Sequence, residues 1–276
     1  MTNLVVSGDG RMGSMLIQGL EQESDFDVVG VISPLASEPS GSMNTSQGSE
    51  IPWSRDPSDL LNAVRPDVVI DFTNAEFTPS LVDASLEYGI RPVIGTSGVD
   101  EITIGRLSAH CSENGLGGVY AANFAVGAVI LSHLAKIAAQ FFERAEVIEL
   151  HHEGKVDAPS GTAIALAEAM RLARGSDFIF NKPELTHVEG TRDGNLGGVG
   201  IHSVRLPGFV ASHEVIFGDA SQTLTLRHDS IGRDSFLPGV SLAIRKTLEL
   251  DHLVVGLESL IGLGEDLVHL DVERGL

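Results

Sequence analysis

Cysteine is almost missing from this chain: Cys111 is the only one in 276 residues. A single thiol excludes an intrachain disulfide and points to a reducing compartment, the cytoplasm. Basic residues are scarce as well, 18 Lys and Arg against 38 Asp and Glu, for a formal net charge of −20. So acidic a chain lacks the cationic face that releases counterions from a phosphate backbone, and nucleic acid is not expected as a partner. Long apolar runs are also lacking. No stretch reaches the roughly 18 residues that a membrane span requires, and no basic and then hydrophobic leader precedes the first apolar run, Leu4-Val5-Val6. The expectation is a soluble intracellular protein with no membrane partner.

What is present is a two-part pattern. At about 150 residues per domain, the length allows two modest domains. The β-rich runs Leu4–Ser7, Val28–Ile32, Val68–Phe72, Pro92–Ile94 and Val119–Ala121 alternate with helix-compatible segments, Met12–Leu20, Glu76–Tyr88 and Glu101–Cys111. Such alternation predicts an α/β fold with a doubly wound parallel sheet, whose strand C-terminal ends face a ligand crevice. From about Asn123 the pattern changes to a helix over Gly127–Phe142, a strand ending near His151, a helix beyond Ser160, and β-rich runs from Ile201 to His228. That is a second, α+β domain. Ser235–Leu248 reads as a helix again. The expected division is 1–122, completed by 235–276, with 123–234 as the second domain. The small, polar stretch from Ser33 to Glu50 offers little apolar area to offset ordering entropy, so it is expected to be a mobile loop.

Two turns carry the chemistry. Ser7-Gly8-Asp9-Gly10-Arg11-Met12-Gly13 follows the first strand and opens a helix, which is the context a Gly-x-Gly-x-x-Gly dinucleotide site needs. Gly8 and Gly10 would permit the tight turn and the close approach of pyrophosphate, and Gly13 the packing of helix on strand. The second turn lies in the run from Glu149 to Ala163: Glu149, His151, His152, Lys155 and then Asp157-Ala158-Pro159-Ser160-Gly161-Thr162. Ser160 or Thr162 would cap the helix, leaving the amides of Ser160, Gly161 and Thr162 to face an anion with Lys155 and the two histidines. Adjacent residues on a strand point to opposite faces, so at most one of His151 and His152 shares the Glu149 face. The set reads as a site for a small polyanion. No metal site is expected.

The segment Glu-x-His-His-x-x-Lys-x-Asp-Ala-Pro-Ser-Gly-Thr-Ala resembles the signature of the dihydrodipicolinate reductases, which act in the diaminopimelate route to lysine. Gly10-Arg11-Met12-Gly13 is similar to that family's dinucleotide turn, although Ser7 stands where its first glycine is usual. Further similar pieces are Asp71-Phe72-Thr73, Gly95-Thr96-Ser97-Gly98, Ala121-Ala122-Asn123-Phe124, the stretch from Gly200 to Gly208, His213-Glu214-Val215, Arg227-His228-Asp229-Ser230, and Arg233 with Phe236. Together they span nearly the whole chain.

The resemblance implies a Rossmann-like N-terminal domain and a second domain for substrate binding and oligomerisation, with assembly as a homotetramer. It implies reduction, by NADPH or NADH, of a cyclic unsaturated imine bearing two carboxylates. His151 would then be the general acid/base and Lys155 the cationic donor. His152, the Ser160, Gly161 and Thr162 amides, and Arg233 would hold the dicarboxylate. Gly8, Gly10, Arg11, Met12, Gly13, Ser33, Phe72, Thr73, Gly95, Thr96, Ser97, Ala121, Ala122, Asn123 and Phe124 would line the cofactor. Val29-Gly30-Val31-Ile32-Ser33-Pro34 ends without the Asp or Glu that usually accepts from the ribose, so NADPH is expected to serve at least as well as NADH. Glu153-Gly154 replaces a more basic pair between the histidines and the lysine. Two other readings stay open: another two-domain dehydrogenase of an imino or amino dicarboxylate, and a dinucleotide sensor without chemistry.

Overall fold

The structure, a computed structural model, describes residues 1–264. Its chain divides into two compact units, Met1–Val126 with Arg233–Ile261, and a second with Gly127–Gly232 as its body.

The first unit is built around an eight-stranded sheet. In chain order it contains β1 (Thr2–Ser7), α1 (Arg11–Leu20), β2 (Phe26–Ile32), β3 (Ser40–Asn44), β4 (Glu50–Ser54), α2 (Pro57–Val64), β5 (Val68–Asp71), α3 (Thr78–Tyr88), β6 (Arg91–Ile94), α4 (Glu101–Asn114) and β7 (Gly118–Tyr120). After the second unit the chain returns through a 3₁₀ turn, Arg233–Phe236, to α7 (Leu237–Thr247) and β13 (Leu253–Val255). The strand order is β13-β7-β6-β5-β1-β2-β4-β3, parallel throughout except for β3 on β4. Strand order reverses at β1, flanked by β2 and β5, and that reversal is where a doubly wound sheet binds ligands. Leu4, Val5 and Val6 are wholly buried because helices cover both faces. Each such side chain contributes about 1.5–3 kcal/mol. The expected helix Ser235–Leu248 is the 3₁₀ turn and α7; the part of the expected C-terminal segment beyond residue 264 lies outside the described residues.

The stretch expected to be a mobile loop is instead largely a hairpin. Strands β3 and β4 pair from Ser40↔Ser54 to Asn44↔Glu50. Ser42 donates to Glu50 across it, Trp53 lies over Gly41, and Ile51 is buried. Its turn is tied back to α1, where Glu21 accepts from the Ser46 backbone at 3.0 Å. Hydrophobic pattern missed this because one tryptophan and one isoleucine, with backbone pairing, do the ordering. Asp56 caps the unexpected α2, accepting from Ser58 N at 2.8 Å.

The second unit holds α5 (Val126–Ala139, whose first residue belongs to the first unit), β8 (Arg144–His151), α6 (Gly161–Arg174), β9 (Asn195–Leu196), β10 (Val199–Arg205), β11 (Ala211–Asp219) and β12 (Gln222–Ser230). Its five strands run β12-β11-β8-β10-β9. Burial along β8 alternates, placing Ala145, Val147, Glu149 and His151 on one inward face. Val147 joins Leu131, Ala135, Leu166, Met170 and Phe217 in one core cluster. Helix packing thus fixes the face on which Glu149 and His151 stand.

Candidate active site

In the first unit, Gly8 takes φ +106°, a left-handed conformation that disfavours side chains. A Cβ on Gly13 would stand 1.6 Å from the Gly8 carbonyl oxygen, so α1 can approach the turn this closely only with glycine there. Gly10 differs: a Cβ there would meet nothing within 4 Å. It caps α1 without a side-chain hydrogen bond, and the first turn of α1, opened by Arg11 and Met12, carries no acid. The first amides of α1 are therefore left without a side-chain acceptor, an arrangement that suits a pyrophosphate.

The loops after β5, β6 and β7 meet beside this turn. Phe72 N donates to Ser7 O at 3.1 Å, and Gly95 N to Asp71 O at 2.8 Å. A side chain on Gly95 would run into the Phe72 ring, which packs 5.5 Å from Phe124. Asp71 is fully buried and accepts from Thr73 Oγ1 at 2.7 Å, Thr78 Oγ1 at 2.6 Å and Thr96 Oγ1 at 2.9 Å. Burial pushes its carboxyl up, against the threonine hydrogen bonds. Asp71 is thus a brace joining two loops. Thr73 and Thr96 are positioned by it, Ala121 is buried, Asn123 accepts from Ala125 N at 2.9 Å, and Ser97 and Ala122 are exposed. Ser33, buried after β2, donates to the carboxylate of Asp9 at 2.6 Å.

In the second unit, pairing brings the distant polar residues together. Parallel β10 sets Arg205 opposite His151, and antiparallel β11 sets His213 opposite Glu149. Glu149 is wholly buried, and Arg205 binds both its oxygens, Nη2 to Oε1 at 2.7 Å and Nη1 to Oε2 at 3.0 Å. The same guanidinium donates to the Asp157 carbonyl at 2.7 Å, tying the turn to the sheet. Burial alone would raise the Glu149 carboxyl, but hydrogen bonds from Arg205, Ser203 and His151 outweigh it and hold the group below its ordinary value. His151 Nδ1 contacts Glu149 Oε2. An ionised carboxylate only accepts, so Nδ1 carries the hydrogen and Nε2 is the nitrogen free to exchange a proton.

Burial lowers the His151 pKa, Glu149 opposes, and the positive charges of Lys155 and Arg205 lower it further. His213 stands edge-on to His151 at 5.5 Å and is pushed down to about 4, first by burial and then by the charge of His151. Its Nε2 lies 3.3 Å from Ser160 Oγ. Of the two candidate caps, Ser160 is the one used: its Oγ accepts from Ala163 N at 3.1 Å. Gly161 and Thr162 stand exposed at the start of α6. Lys155 pairs with Asp157 at 2.7 Å, and its amide donates to His152 O at 3.1 Å. His152 is exposed and lies off the Glu149 face. Arg233 is exposed on the 3₁₀ turn, within the first unit.

The descriptions "Dihydrodipicolinate reductase, N-terminus" and "Dihydrodipicolinate reductase, C-terminus" match residues 2–124 and 127–261. The chain belongs to the dihydrodipicolinate reductase family. It is similar to the 4-hydroxy-tetrahydrodipicolinate reductase of Dehalococcoides mccartyi strain CBDB1, 41% identical over 94% of this chain and 98% of that protein. With its namesake from Enterococcus faecalis it shares 42% identity over 95% of this chain and all of the relative. Dipicolinate-bound dihydrodipicolinate reductase from Paenisporosarcina sp. TG-14 superposes with a TM-score of 0.83 at 35% identity, covering 94% of this chain and 99% of that one.

Family motifs pointed to His151 and Lys155 but gave no role to Arg205, Glu149 or His213, whose functions depend on strand register. A buried acid two residues before a histidine on one strand face is the signal that could have drawn attention to Glu149. The end of β2 carries no acid, as expected, but Asp9 from the first turn reaches it.

Proposed function

We propose that the chain reduces 4-hydroxy-tetrahydrodipicolinate, or the dihydrodipicolinate formed from it by loss of water, to tetrahydrodipicolinate in lysine biosynthesis by the diaminopimelate route. Bound NADPH or NADH supplies the hydride. The observation that carries the reading is the Arg205–Glu149–His151 chain beside the start of α6. A dicarboxylate needs fixed donors, and the Gly161 and Thr162 amides, Lys155 and His152 offer them at the positive end of a helix. Lys155 releases Asp157 to do so. Hydride arriving at one carbon must be balanced by a proton elsewhere on the ring system. His151 Nε2 delivers that proton, with Nδ1 held by Glu149.

The neutral bias of His151 fits this cycle. In the free enzyme burial and nearby cations hold the imidazole below its ordinary pKa, against the pull of Glu149. Two bound carboxylates oppose that local field and raise the imidazole's affinity for the proton when substrate is present. Arg233 is assigned a substrate contact from its family match. The proposed assembly is a homotetramer through the second unit, supported by β12, a sheet-edge strand exposed over Gln222–Thr225. Among the described residues no helix is long and apolar enough to cross a membrane. Cytoplasmic residence is proposed from the buried free thiol of Cys111.

The direct test is to mix purified protein with freshly generated 4-hydroxy-tetrahydrodipicolinate and either reduced cofactor, and to follow cofactor absorbance. Substrate-dependent oxidation supports the assignment. Oxidation with other imino dicarboxylates but not with this one would transfer it to the rival dehydrogenase class.

A further inference from the structure

We infer that Asp9 is a specificity-determining residue for the cofactor, a ribose-side carboxylate that weights the site toward NADH over NADPH. The inference rests on the NAD(P)H-dependent reading above. In doubly wound folds the acid that accepts from the adenosine ribose stands at the end of the second strand and discriminates against a 2′-phosphate. In this chain β2 ends at Ile32 and is followed by Ser33 and Pro34, with no acid at that end; its one acid, Asp27, stands at the opposite end of the strand. The carboxylate comes from the other side. Asp9 sits in the turn between β1 and α1, and its Oδ2 accepts from Ser33 Oγ at 2.6 Å.

Three features fix it there. Ser33 is buried, and its amide donates to Ser54 O at 2.9 Å, so the hydroxyl is anchored to the sheet. Gly8 N donates to Ile32 O at 2.8 Å, which binds the turn to the same strand end. Ser14 Oγ donates to the Asp9 carbonyl at 3.0 Å from the first turn of α1. Asp9 itself is exposed, so Oδ1 remains open to a ligand. A ribose 2′-hydroxyl would donate to that oxygen, whereas a 2′-phosphate would bring up to two negative charges against it. The Ser33 hydroxyl, which would otherwise be a donor for that phosphate, already has its proton on Asp9.

The cations near this edge are Arg11, at the start of α1, and Arg55, which follows β4 where Ser54 pairs with Ile32. Both are exposed. Among the described residues neither is held at the strand end by a buried partner as Asp9 is, so the carboxylate dominates the choice.

The test measures dissociation constants of NADH and NADPH by calorimetry for the whole protein and a graded charge series, Asp9→Asn and Asp9→Lys. Wild type is expected to bind NADH about tenfold more tightly than NADPH. Asp9→Asn should erase most of that ratio and Asp9→Lys should invert it, each chiefly by tightening NADPH. Asp9→Glu, as a conservative control, should keep the NADH bias. A wild type that prefers NADPH, or a ratio that stays put across the series while both cofactors bind, overturns the role of Asp9 alone. Failure of wild type to bind either cofactor overturns the NAD(P)H reading and this inference with it.

Discussion

Arg205 holds the buried carboxylate of Glu149 with both terminal nitrogens, at 2.7 and 3.0 Å. Two parallel charge-assisted hydrogen bonds of this kind fix direction as well as charge. They explain why an acid with no solvent exposure stays ionised, and an ionised Glu149 in turn fixes which nitrogen of His151 can exchange a proton.

Replacing Glu149 by Gln keeps the volume but gives His151 Nδ1 a neutral neighbour able to donate. The tautomer of His151 is then no longer fixed, and part of the population presents the wrong nitrogen. Turnover is expected to fall about 10²–10⁴-fold, the range for loss of a positioned acid/base, with little change in cofactor affinity. His151→Gln and Lys155→Ala should fall in the same range. Steady-state kinetics with cofactor titrations checks all three, and a His151→Gln enzyme with most of its turnover intact would leave that residue a structural role only.

If bound carboxylates load His151, then binding dipicolinate should take up a proton. Calorimetry near pH 7 in buffers of different ionisation enthalpy is expected to give an uptake of up to one proton per site, and none in His151→Gln. Equal apparent enthalpies in all buffers would show that the imidazole does not change state on binding.

The local motifs were legible because chain neighbours carry them. Gly8, Gly10 and Gly13 lie in one turn, and His151, Lys155 and Ser160 in another. Arg205 lies 56 residues from Glu149, and what joins them is the parallel register of β10 on β8, which no local pattern encodes. Ser33 and Asp9, 24 residues apart, meet for a similar reason, since β1 and β2 run side by side. The β3–β4 hairpin was invisible on different grounds. Its residues between 40 and 50 are small and polar, and its order comes from backbone pairing and the Trp53 ring over Gly41.

His213 makes the second unit sensitive to acid. Its pKa, pushed from 6.5 to about 4 by burial and by His151, means that the unfolded chain binds the proton more readily than the folded one. The contribution of His213 to stability is therefore fully present above about pH 6.5 and is lost as pH falls toward 4. Roughly 2.5 units correspond to roughly 3 kcal/mol. Urea unfolding of wild type and His213→Gln at pH 7 and pH 4.5 should show a smaller loss in the variant. Parallel losses would place the acid sensitivity elsewhere.

Exposure along β12 supports self-association of the second unit. Light scattering at micromolar concentration should give four times the 29.2 kDa chain mass. A Leu224→Lys change, at an exposed apolar position on β12, is expected to weaken the assembly by like-charge repulsion across a symmetric contact. A stable wild-type monomer would refute the tetramer.

Two glycines of the first turn should separate fold from cofactor. A methyl on Gly13 would stand 1.6 Å from a backbone carbonyl, which must move, so Gly13→Ala is expected to cost about 1–3 kcal/mol and to weaken binding of both cofactors. Gly10 has open space around the same position, so Gly10→Ala should leave the melting temperature within a few degrees of wild type. If a pyrophosphate lies over the first amides of α1, that added methyl projects into its approach, and affinity for NADH and NADPH should fall together by about tenfold or more. Thermal unfolding without cofactor, followed by fluorescence titration with each cofactor, reads the two effects separately. A Gly10→Ala protein that binds both cofactors as tightly as wild type would mean that the pyrophosphate does not pass over Gly10, and the dinucleotide path would have to be drawn along a different part of the turn.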